Sequence, residues 1–233
     1  MRIAILGAGN MADALGTQWL RAGHDVMISG RDLARSTALA QRMTATAALP
    51  TDAASSRAGV VAPRPGVALA GTWAEAAGYG EVVMVAVMET GLHDVLRAVE
   101  PALRGKPVID VTNAVSPDAY DVSRSLAELI AELTGGHVVK AFNLCHVDVW
   151  RMTPPVFDGR PLAVPLCGDE EHALATARTL VTDLGCTPVY GGGLGRAKLL
   201  EATAAFMIGL WIGGADAQAV LPPLERSGAH PTA

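Results

Sequence analysis

The chain has 233 residues, of which 50% are hydrophobic and 18% are charged, and its formal net charge is -5 at neutral pH. This length and composition are typical of a compact globular protein with a sizeable core, and the negative charge excludes a general attraction to nucleic acid or to an anionic membrane. The three cysteines form no C-x-x-C pair, which argues against a zinc site and favours reduced thiols in a cytoplasm.

The N-terminus does not have the pattern of a signal peptide, because the apolar run after Arg2 leads directly into a glycine-rich turn. The most apolar late segment, 206–214, is too short to span a bilayer. We therefore expect a cytoplasmic protein with no membrane partner and no metal site.

Strand patterns alternate with helical patterns almost throughout. In chain order we predict strand 2–7, helix 11–23, strand 24–30, helix 31–43, strand 67–70, helix 72–80, strand 81–87, helix 93–105, strand 106–113, helix 116–136, strands 137–143 and 160–168, helix 169–185, and a glycine-rich segment 186–192 that leads into helix 195–214. This alternation predicts an α/β fold of the Rossmann type: a doubly wound, mainly parallel sheet with a C-terminal α-helical extension.

Local signals refine this picture. Segment 81–87 is continuously apolar, as expected of a parallel strand that is covered on both faces, and Ser116 with Pro117 predicts the start of helix 116–136. Residues 44–66 are rich in Ala, Ser, Pro and Gly and predict a surface loop. We divide the chain into a nucleotide-binding domain with added C-terminal strands (1–190), a helical extension for dimerisation and substrate binding (191–225), and a disordered tail (226–233).

A glycine turn lies between the first strand and the first helix. Gly7, Gly9 and Ala12 match the pattern G-x-G-x-x-G/A in the context that gives this pattern meaning. Gly7 makes the tight turn, Gly9 leaves room for a pyrophosphate at the helix N-terminus, and Ala12 allows close packing of helix on strand. The sequence therefore predicts dinucleotide binding, whereas the alternative is an ordinary strand-turn-helix corner.

Positive charge follows the second strand, where an NAD enzyme places a carboxylate that binds the adenosine ribose. Arg31 and Arg35 are suited to the 2′-phosphate of NADP, because a guanidinium binds phosphate bidentately, and Ser29 offers a hydroxyl. Asp32 is the only nearby carboxylate. NADP(H) is the predicted cofactor. The alternative is that both arginines belong to a solvated helix face.

The motifs "ILGAGNMADALG", "SGRD", "VVKAFN", "VPLCGD" and "GGLGRAKLLEA" together resemble the coenzyme F420-dependent NADP reductase family, which is related to the cytosolic domain of the STEAP metalloreductases. The resemblance covers most of the chain. It implies that Asn10 and Met11 contact the pyrophosphate through their backbones, and that Ser29, Arg31 and Arg35 hold the 2′-phosphate. It further implies that four residues at the ends of the fourth and fifth strands lie along the ribose and nicotinamide: Val87, Met88, Asn113 and Ala114.

The resemblance also places the hydride acceptor near the loop 143–146, where this sequence departs from the deazaflavin reductases. His146 is our candidate proton donor for a carbonyl or imine substrate; the alternative is a loop histidine that bonds to the backbone. Cys145 is more consistent with a small buried residue than with a nucleophile. Lys140 lies within an apolar strand, and two explanations of its position are open: it snorkels from the strand edge, or it pairs with an acidic neighbour.

Three functions remain open. The first is hydride transfer between NADP(H) and a deazaflavin such as coenzyme F420, and the second is NADPH-dependent reduction of a small carbonyl or imine. The third is non-catalytic NADP binding by a regulator. The partner in either reaction is a small-molecule hydride acceptor or donor. The last helix carries more apolar surface than one buried stripe requires, so we also expect a homodimer built on it.

Overall fold

The computed structural model describes residues 1–50, 64–114 and 116–220. Its α-helices are α1 (Asn10–Arg21), α2 (Leu33–Ala47), α3 (Trp73–Tyr79), α4 (Glu89–Leu103), α5 (Leu126–Thr134), α6 (Glu171–Thr182) and α7 (Ala197–Ile212). Its strands are β1 (Arg2–Leu6), β2 (Asp25–Ser29), β3 (Ala68–Gly71), β4 (Val82–Val85), β5 (Pro107–Asp110), β6 (His137–Lys140), β7 (Val156–Phe157), β8 (Arg160–Pro161), β9 (Ala163–Cys167) and β10 (Thr187–Gly192). Single 3-10 turns lie at Pro117–Ala119, Val147–Arg151, Leu194–Arg196 and Ala217–Val220.

Eight strands form one sheet in the order β3-β2-β1-β4-β5-β6-β9-β10. Neighbouring strands are parallel except at β6 and β9, which are antiparallel and pair at Lys140 and Cys167. The first six strands have the 3-2-1-4-5-6 order of dinucleotide-binding folds, in which the order of the strands across the sheet reverses between β1 and β4. The predicted doubly wound, mainly parallel sheet and the C-terminal helix are confirmed.

Helices cover both faces of the sheet and produce two apolar layers. One layer centres on Trp19 and Met43, and the other on Leu92 and Ile130. Strands β1, β4 and β5 are almost wholly buried because both of their faces are covered. Their carboxyl ends are consequently held in fixed positions at one edge of the molecule.

Helix α5 begins later than the sequence predicted. The expected start at Ser116 is wrong, since the chain makes only one 3-10 turn at Pro117–Ala119 and enters the α-helix at Leu126. Ser125 is the real N-cap: its hydroxyl accepts from the Glu128 N–H, and the Glu128 carboxylate accepts from the Ser125 N–H. This reciprocal capping box satisfies the backbone N–H groups of Ser125 and Glu128, which the predicted start at Ser116 and Pro117 would leave without these partners.

Helix α2 is longer than predicted. It continues through Thr44 to Ala47, where a loop was expected, because Met43 and Ala47 extend the buried stripe against the sheet. Most of the remaining 44–66 segment, and the predicted tail, lie outside the described residues. Among the described residues, no helix has both the length and the apolar character that crossing a bilayer requires.

Candidate functional site

The glycine turn brings β1 close to the end of β4. Gly7 has φ 135°, and a Cβ atom there would lie 2.2 Å from the carbonyl oxygen of Ala86. Only glycine fits such an approach. Gly9 is different, because a Cβ atom on it would meet nothing within 4 Å. The space above Gly9 is open, and Ala12 is fully buried against the core, as the motif requires.

The first turn of α1 has no side-chain cap at Gly9, so Asn10 and Met11 begin a helix whose N-terminal amides are not satisfied by a capping side chain. Helix α4, which follows β4, is likewise uncapped at Met88. Side chains cap four other helices: Asp32 for α2, Thr72 for α3, Ser125 for α5 and Glu170 for α6. Helix α7 also has no side-chain cap, at Arg196. Of the uncapped helices, α1 and α4 flank the reversal point of the sheet, where an anion is the expected ligand.

The strand end after β2 presents two free cations. Arg31 and Arg35 are exposed, and neither pairs with any part of the chain that the structure describes. Asp32 accepts hydrogen bonds from the N–H groups of Ala34 (2.9 Å) and Arg35 (3.2 Å). The carboxylate near the ribose position is thus a helix cap, which explains its presence beside the arginines.

Ser29 does not match its predicted role. Its side chain is fully buried, and its hydroxyl donates to the Ile5 carbonyl at 3.0 Å. A serine hydroxyl has a single proton, so in this structure Ser29 offers no donor to a phosphate. It stabilises the pairing of β1 and β2 instead.

Four predicted residues lie at the carboxyl ends of β4 and β5. Val87 is half-buried and Met88 is 65% exposed, while Asn113 and Ala114 are half-buried. Because parallel strands end at the same edge of the sheet, these residues lie on the same side of the molecule as Gly9.

Asn143 links three elements at this edge. Its side-chain N–H donates to Asn113 Oδ1 (3.0 Å) and to the Leu200 carbonyl (3.2 Å), and its own carbonyl accepts from Asn113 Nδ2 (2.9 Å). The preceding residue, Phe142, has a left-handed backbone (φ 61°). Its ring packs edge-on between Trp19 and Trp150, which fixes where Asn143 leaves the sheet.

A cavity of about 160 Å³ lies between the end of β5 and α7. Its polar lining comes from Asn113, Ser116 and Glu201, and its apolar lining from Ala114, Ala205, Ile208 and Ile212. The α7 residues recur at helical spacing on one face. The cavity therefore has a polar floor beside the strand ends and an apolar wall along the helix.

A buried ion cluster underlies that floor. Lys140 Nζ donates to Asp110 Oδ2 (2.9 Å), Glu201 Oε1 (2.8 Å) and the Thr112 carbonyl (2.5 Å). Glu201 also accepts from the Leu126 N–H at 2.9 Å. Burial, with a contribution from the neighbouring Asp110 carboxylate, raises the pKa of Glu201 above its ordinary value, and Lys140 and the Leu126 N–H only partly offset this rise. Of the two explanations for Lys140, pairing with acidic neighbours is the one that the structure shows.

His146 lies outside this cavity. Its side chain is 73% exposed, and its Nδ1 lies 3.3 Å from Asp148 and 3.4 Å from the Asp148 N–H. It caps the 3-10 turn Val147–Arg151, where Arg151 pairs with Asp148 and with Asp13 of α1. This arrangement corresponds to the alternative of a loop histidine that bonds to the backbone.

The cysteines do not have the environment of nucleophiles. Burial raises the pKa of the Cys145 and Cys167 thiols, and it raises the pKa of Cys186 to about 11 with a contribution from nearby Cys145. Their reactive thiolate forms are therefore disfavoured. The described residues contain no group of three or more His, Cys, Asp and Glu side chains placed to hold a metal ion.

Sequence reasoning placed the loop 143–146 near the hydride acceptor, but it missed Glu201, the contacts of Asn143 and the cavity. Glu201 stands in an apolar helix, and a single acidic residue in such a helix was the available signal, because burial requires a partner. Asn143 gave no signal of its own, since its role depends on contacts with residues 30 and 57 positions away.

These features fit NADP(H). The open space at Gly9 and the uncapped α1 N-terminus suit a pyrophosphate, and the guanidinium groups of Arg31 and Arg35, which pair with none of the described residues, suit a 2′-phosphate. The cavity adjoins Asn113 and Ala114, two of the residues predicted to lie along the nicotinamide. When bound, the cofactor supplies the hydride, and the protein supplies binding, orientation and electrostatics.

Comparison with known proteins agrees with this geometry. Residues 2–114 match the family described as NADP oxidoreductase, coenzyme F420-dependent. The chain is 27% identical over 211 residues to metalloreductase STEAP3 of Rattus norvegicus, which covers 90% of this chain but only 38% of the relative's length. The resemblance inferred from the motifs is confirmed. The matching family consists of NADP-dependent oxidoreductases, so the predicted enzyme class is confirmed as well.

Solved structures show the same fold. A candidate F420-dependent NADP reductase from Arthrobacter sp. FB24 aligns with a TM-score of 0.70 at 23% identity, covering 91% of this chain and 95% of that one. A reductive aminase from Aspergillus terreus, in complex with NADPH and ethyl-5-oxohexanoate, aligns with a TM-score of 0.60 at 22% identity, covering 91% of this chain and 62% of that one.

Proposed function

We propose, from the match of residues 2–114 to the F420-dependent NADP oxidoreductases, that this protein transfers hydride between NADP(H) and a deazaflavin such as coenzyme F420. The nucleotide half of the proposal rests on the uncapped α1 N-terminus together with Arg31 and Arg35, whose guanidinium groups pair with none of the residues that the structure describes. The protein would bind the pyrophosphate at Gly9 and the 2′-phosphate at the start of α2.

The observation that favours a deazaflavin is the absence of a free acid or base among the described residues that line the cavity. Glu201 is held by Lys140 and backbone N–H groups, and His146 is exposed elsewhere. Hydride exchange with a deazaflavin needs stacking and exclusion of water more than a positioned proton donor. Reduction of a carbonyl needs such a donor.

The direct test mixes the protein with NADP and reduced F420 and follows the absorbance of reduced nicotinamide. We expect reduced nicotinamide to appear with the unmodified chain and not with Gly9→Val, the matched control whose pyrophosphate site is filled. NADP binding without any exchange with F420 would contradict the deazaflavin as partner.

A second candidate is NADPH-dependent reduction of a small carbonyl or imine. The size of the cavity favours it, because about 160 Å³ suits a molecule smaller than most pocket ligands. NADPH oxidation with a panel of ketones, aldehydes and cyclic imines separates the candidates. Turnover on this panel, with none on F420, would replace the first proposal by the second.

Two further properties belong to the proposal. We propose that the protein acts in the cytoplasm, where reduced NADP is available and free thiols persist. We also propose that it forms a homodimer through α7, whose exposed apolar residues are considered below.

A further inference from the structure

The cluster formed by Asp110, Lys140 and Glu201 is completely buried: the three side chains are 0%, 0% and 3% exposed. Lys140 donates three hydrogen bonds, which accounts for all three protons of an ammonium group. Asp110 Oδ1 accepts from the N–H and hydroxyl of Thr112. The groups that contact the Asp110 and Glu201 carboxylates are thus hydrogen-bond donors, as expected when both carboxylates are ionised.

The cluster consequently contains two carboxylates and one ammonium, which gives it a net negative charge. No second cationic side chain among the described residues pairs with it. The N-terminus of α5 supplies the remaining compensation, since the N–H groups of Leu126 (2.9 Å) and Ala127 (3.3 Å) donate to Glu201. These amides explain how the charge is tolerated, but they carry only a partial positive charge.

The cluster adjoins the cavity beside which the proposed function places the nicotinamide. Asp110 ends β5 three residues before Asn113, and Glu201 lines the same cavity as Asn113 and Ala114. The cluster borders an apolar layer on one side and the polar floor of the cavity on the other, so its charge acts through an effective dielectric lower than that of water.

We infer that the net negative charge of the Asp110–Lys140–Glu201 cluster makes the site bind NADP⁺ more tightly, relative to NADPH, than a neutral cluster would. This inference rests on the proposed function. The nicotinamide ring of NADPH is neutral, and it becomes cationic when C4 gives up its hydride to the acceptor. A fixed negative charge behind the ring stabilises that cationic product, so Asp110 and Glu201 bias the bound nucleotide toward hydride donation.

A purely structural role for the cluster is the competing explanation, because Glu201 also fixes α7 to α5 and β6. The two explanations differ in binding. A structural pin would affect NADP⁺ and NADPH equally, whereas a charge effect changes the ratio of their dissociation constants.

The experiment measures binding of NADP⁺, NADPH and 2′,5′-ADP to the full chain by calorimetry. Glu201→Gln and Asp110→Asn each remove one negative charge from a different element. Glu81→Gln is the matched control, because Glu81 precedes β4 and pairs with Arg2 at the amino end of the sheet. The adenosine fragment 2′,5′-ADP lacks the nicotinamide and reports on the nucleotide half alone.

We expect the ratio Kd(NADP⁺)/Kd(NADPH) to rise about tenfold in both cluster variants, as expected of one unit charge at short range in a partly polar interior. It should be unchanged in Glu81→Gln, and 2′,5′-ADP binding should be unchanged in all three. Equal ratios throughout, with 2′,5′-ADP still bound, would overturn the inference. Failure of the unmodified chain to bind 2′,5′-ADP would instead overturn the proposed nucleotide site. If one cluster variant does not fold, the other gives the result.

Discussion

Arg31 is exposed and unpaired among the described residues, so its guanidinium is available to bind a phosphate. We expect Arg31→Ala to weaken NADPH binding by roughly 1–3 kcal/mol, the scale of a lost charge-assisted contact, and to leave NADH binding nearly unchanged. Calorimetric titration with both nucleotides checks this. Arg160→Ala, an exposed arginine on β8, is the control. Equal loss for both nucleotides would exclude the phosphate assignment.

Substitutions of the two glycines in the turn are expected to affect different properties, nucleotide binding for Gly9 and stability for Gly7. Gly9→Val should abolish binding of both nucleotides while the melting temperature is retained, because a Cβ there meets no protein atom. Gly7→Ala should lower stability by roughly 1–3 kcal/mol, since its Cβ would lie 2.2 Å from the Ala86 oxygen on a left-handed backbone. Thermal unfolding and nucleotide titration separate the two effects. Loss of stability in Gly9→Val would show that Gly9 is needed for folding.

His146 should matter little for hydride transfer. Its ring is exposed and pairs with Asp148 outside the cavity, so His146→Gln is expected to change NADPH affinity and turnover by less than about threefold. A loss of about 10²–10⁴ in rate, with NADPH affinity unchanged, would restore His146 as a proton donor. Steady-state kinetics on whichever acceptor is turned over provides the measurement.

At the scale of elements, the start of α5 is defined by Ser125. Ser125→Ala removes the hydroxyl that accepts from the Glu128 N–H, so we expect a loss of about 1 kcal/mol in the free energy of unfolding. Ser116→Ala should have almost no effect on stability, because Ser116 caps no α-helix. Denaturant unfolding of both variants tests this, and the opposite ranking would mean that the helix begins at the earlier serine.

The order and type of the main elements were predictable because each depends on local sequence. Strand β4 is continuously apolar, and the Gly7–Gly9 turn identifies the corner between β1 and α1. The start of α5 was mispredicted because Ser116 before Pro117 has the pattern of an N-cap, whereas the real cap, Ser125, is identified by Glu128 three positions later, which completes the capping box. The end of α2 was mispredicted because residues 44–47 have a composition typical of a loop, whereas contact with the sheet buries Ala47 and extends the helix.

The nucleotide-binding part of the candidate site was predictable from the sequence, but the part that binds the second substrate was not. The glycine turn and the arginines lie in short segments whose chemistry can be read directly. Ser29 was misjudged, because only the pairing of β1 with β2 shows that its proton is used by Ile5. The cavity brings Asn113 together with Glu201, and no local pattern predicts a contact between positions so far apart in the chain.

At the scale of the whole molecule, one sheet supports two regions of different character. The nucleotide edge is formed by strand ends whose positions are fixed by a buried core. Helix α7 is attached to this core by Ala197 and Leu200, which pack with the apolar layer, and by polar contacts: Glu201 to α5 and β6, Asn143 to the Leu200 carbonyl, and Tyr120 to the Lys198 carbonyl. Within α7 itself, only Ala197, Glu201 and Ala204 are buried.

Much of the remaining surface of α7 is apolar and exposed. Leu199, Phe206, Trp211 and Ile212 are 49%, 61%, 45% and 75% exposed. A helix that is apolar on nearly all faces is normally covered on all of them. A second copy of the chain provides a matching apolar surface, since a two-fold contact pairs the same patch with itself. We therefore predict a homodimer in which α7 packs against α7 of the partner.

Light scattering after size exclusion measures this directly. The unmodified chain should be a dimer at micromolar concentration, and the double substitution Phe206→Glu with Trp211→Glu should give a monomer, because burying two carboxylates in an apolar contact is strongly unfavourable. A dimer could also form by pairing of two exposed edge strands. Tyr190→Glu is the control for this arrangement, because Tyr190 is 60% exposed on the edge strand β10. A dimer that is lost in Tyr190→Glu and kept in the α7 variant would place the contact at the sheet edge. A monomeric unmodified chain would contradict both arrangements.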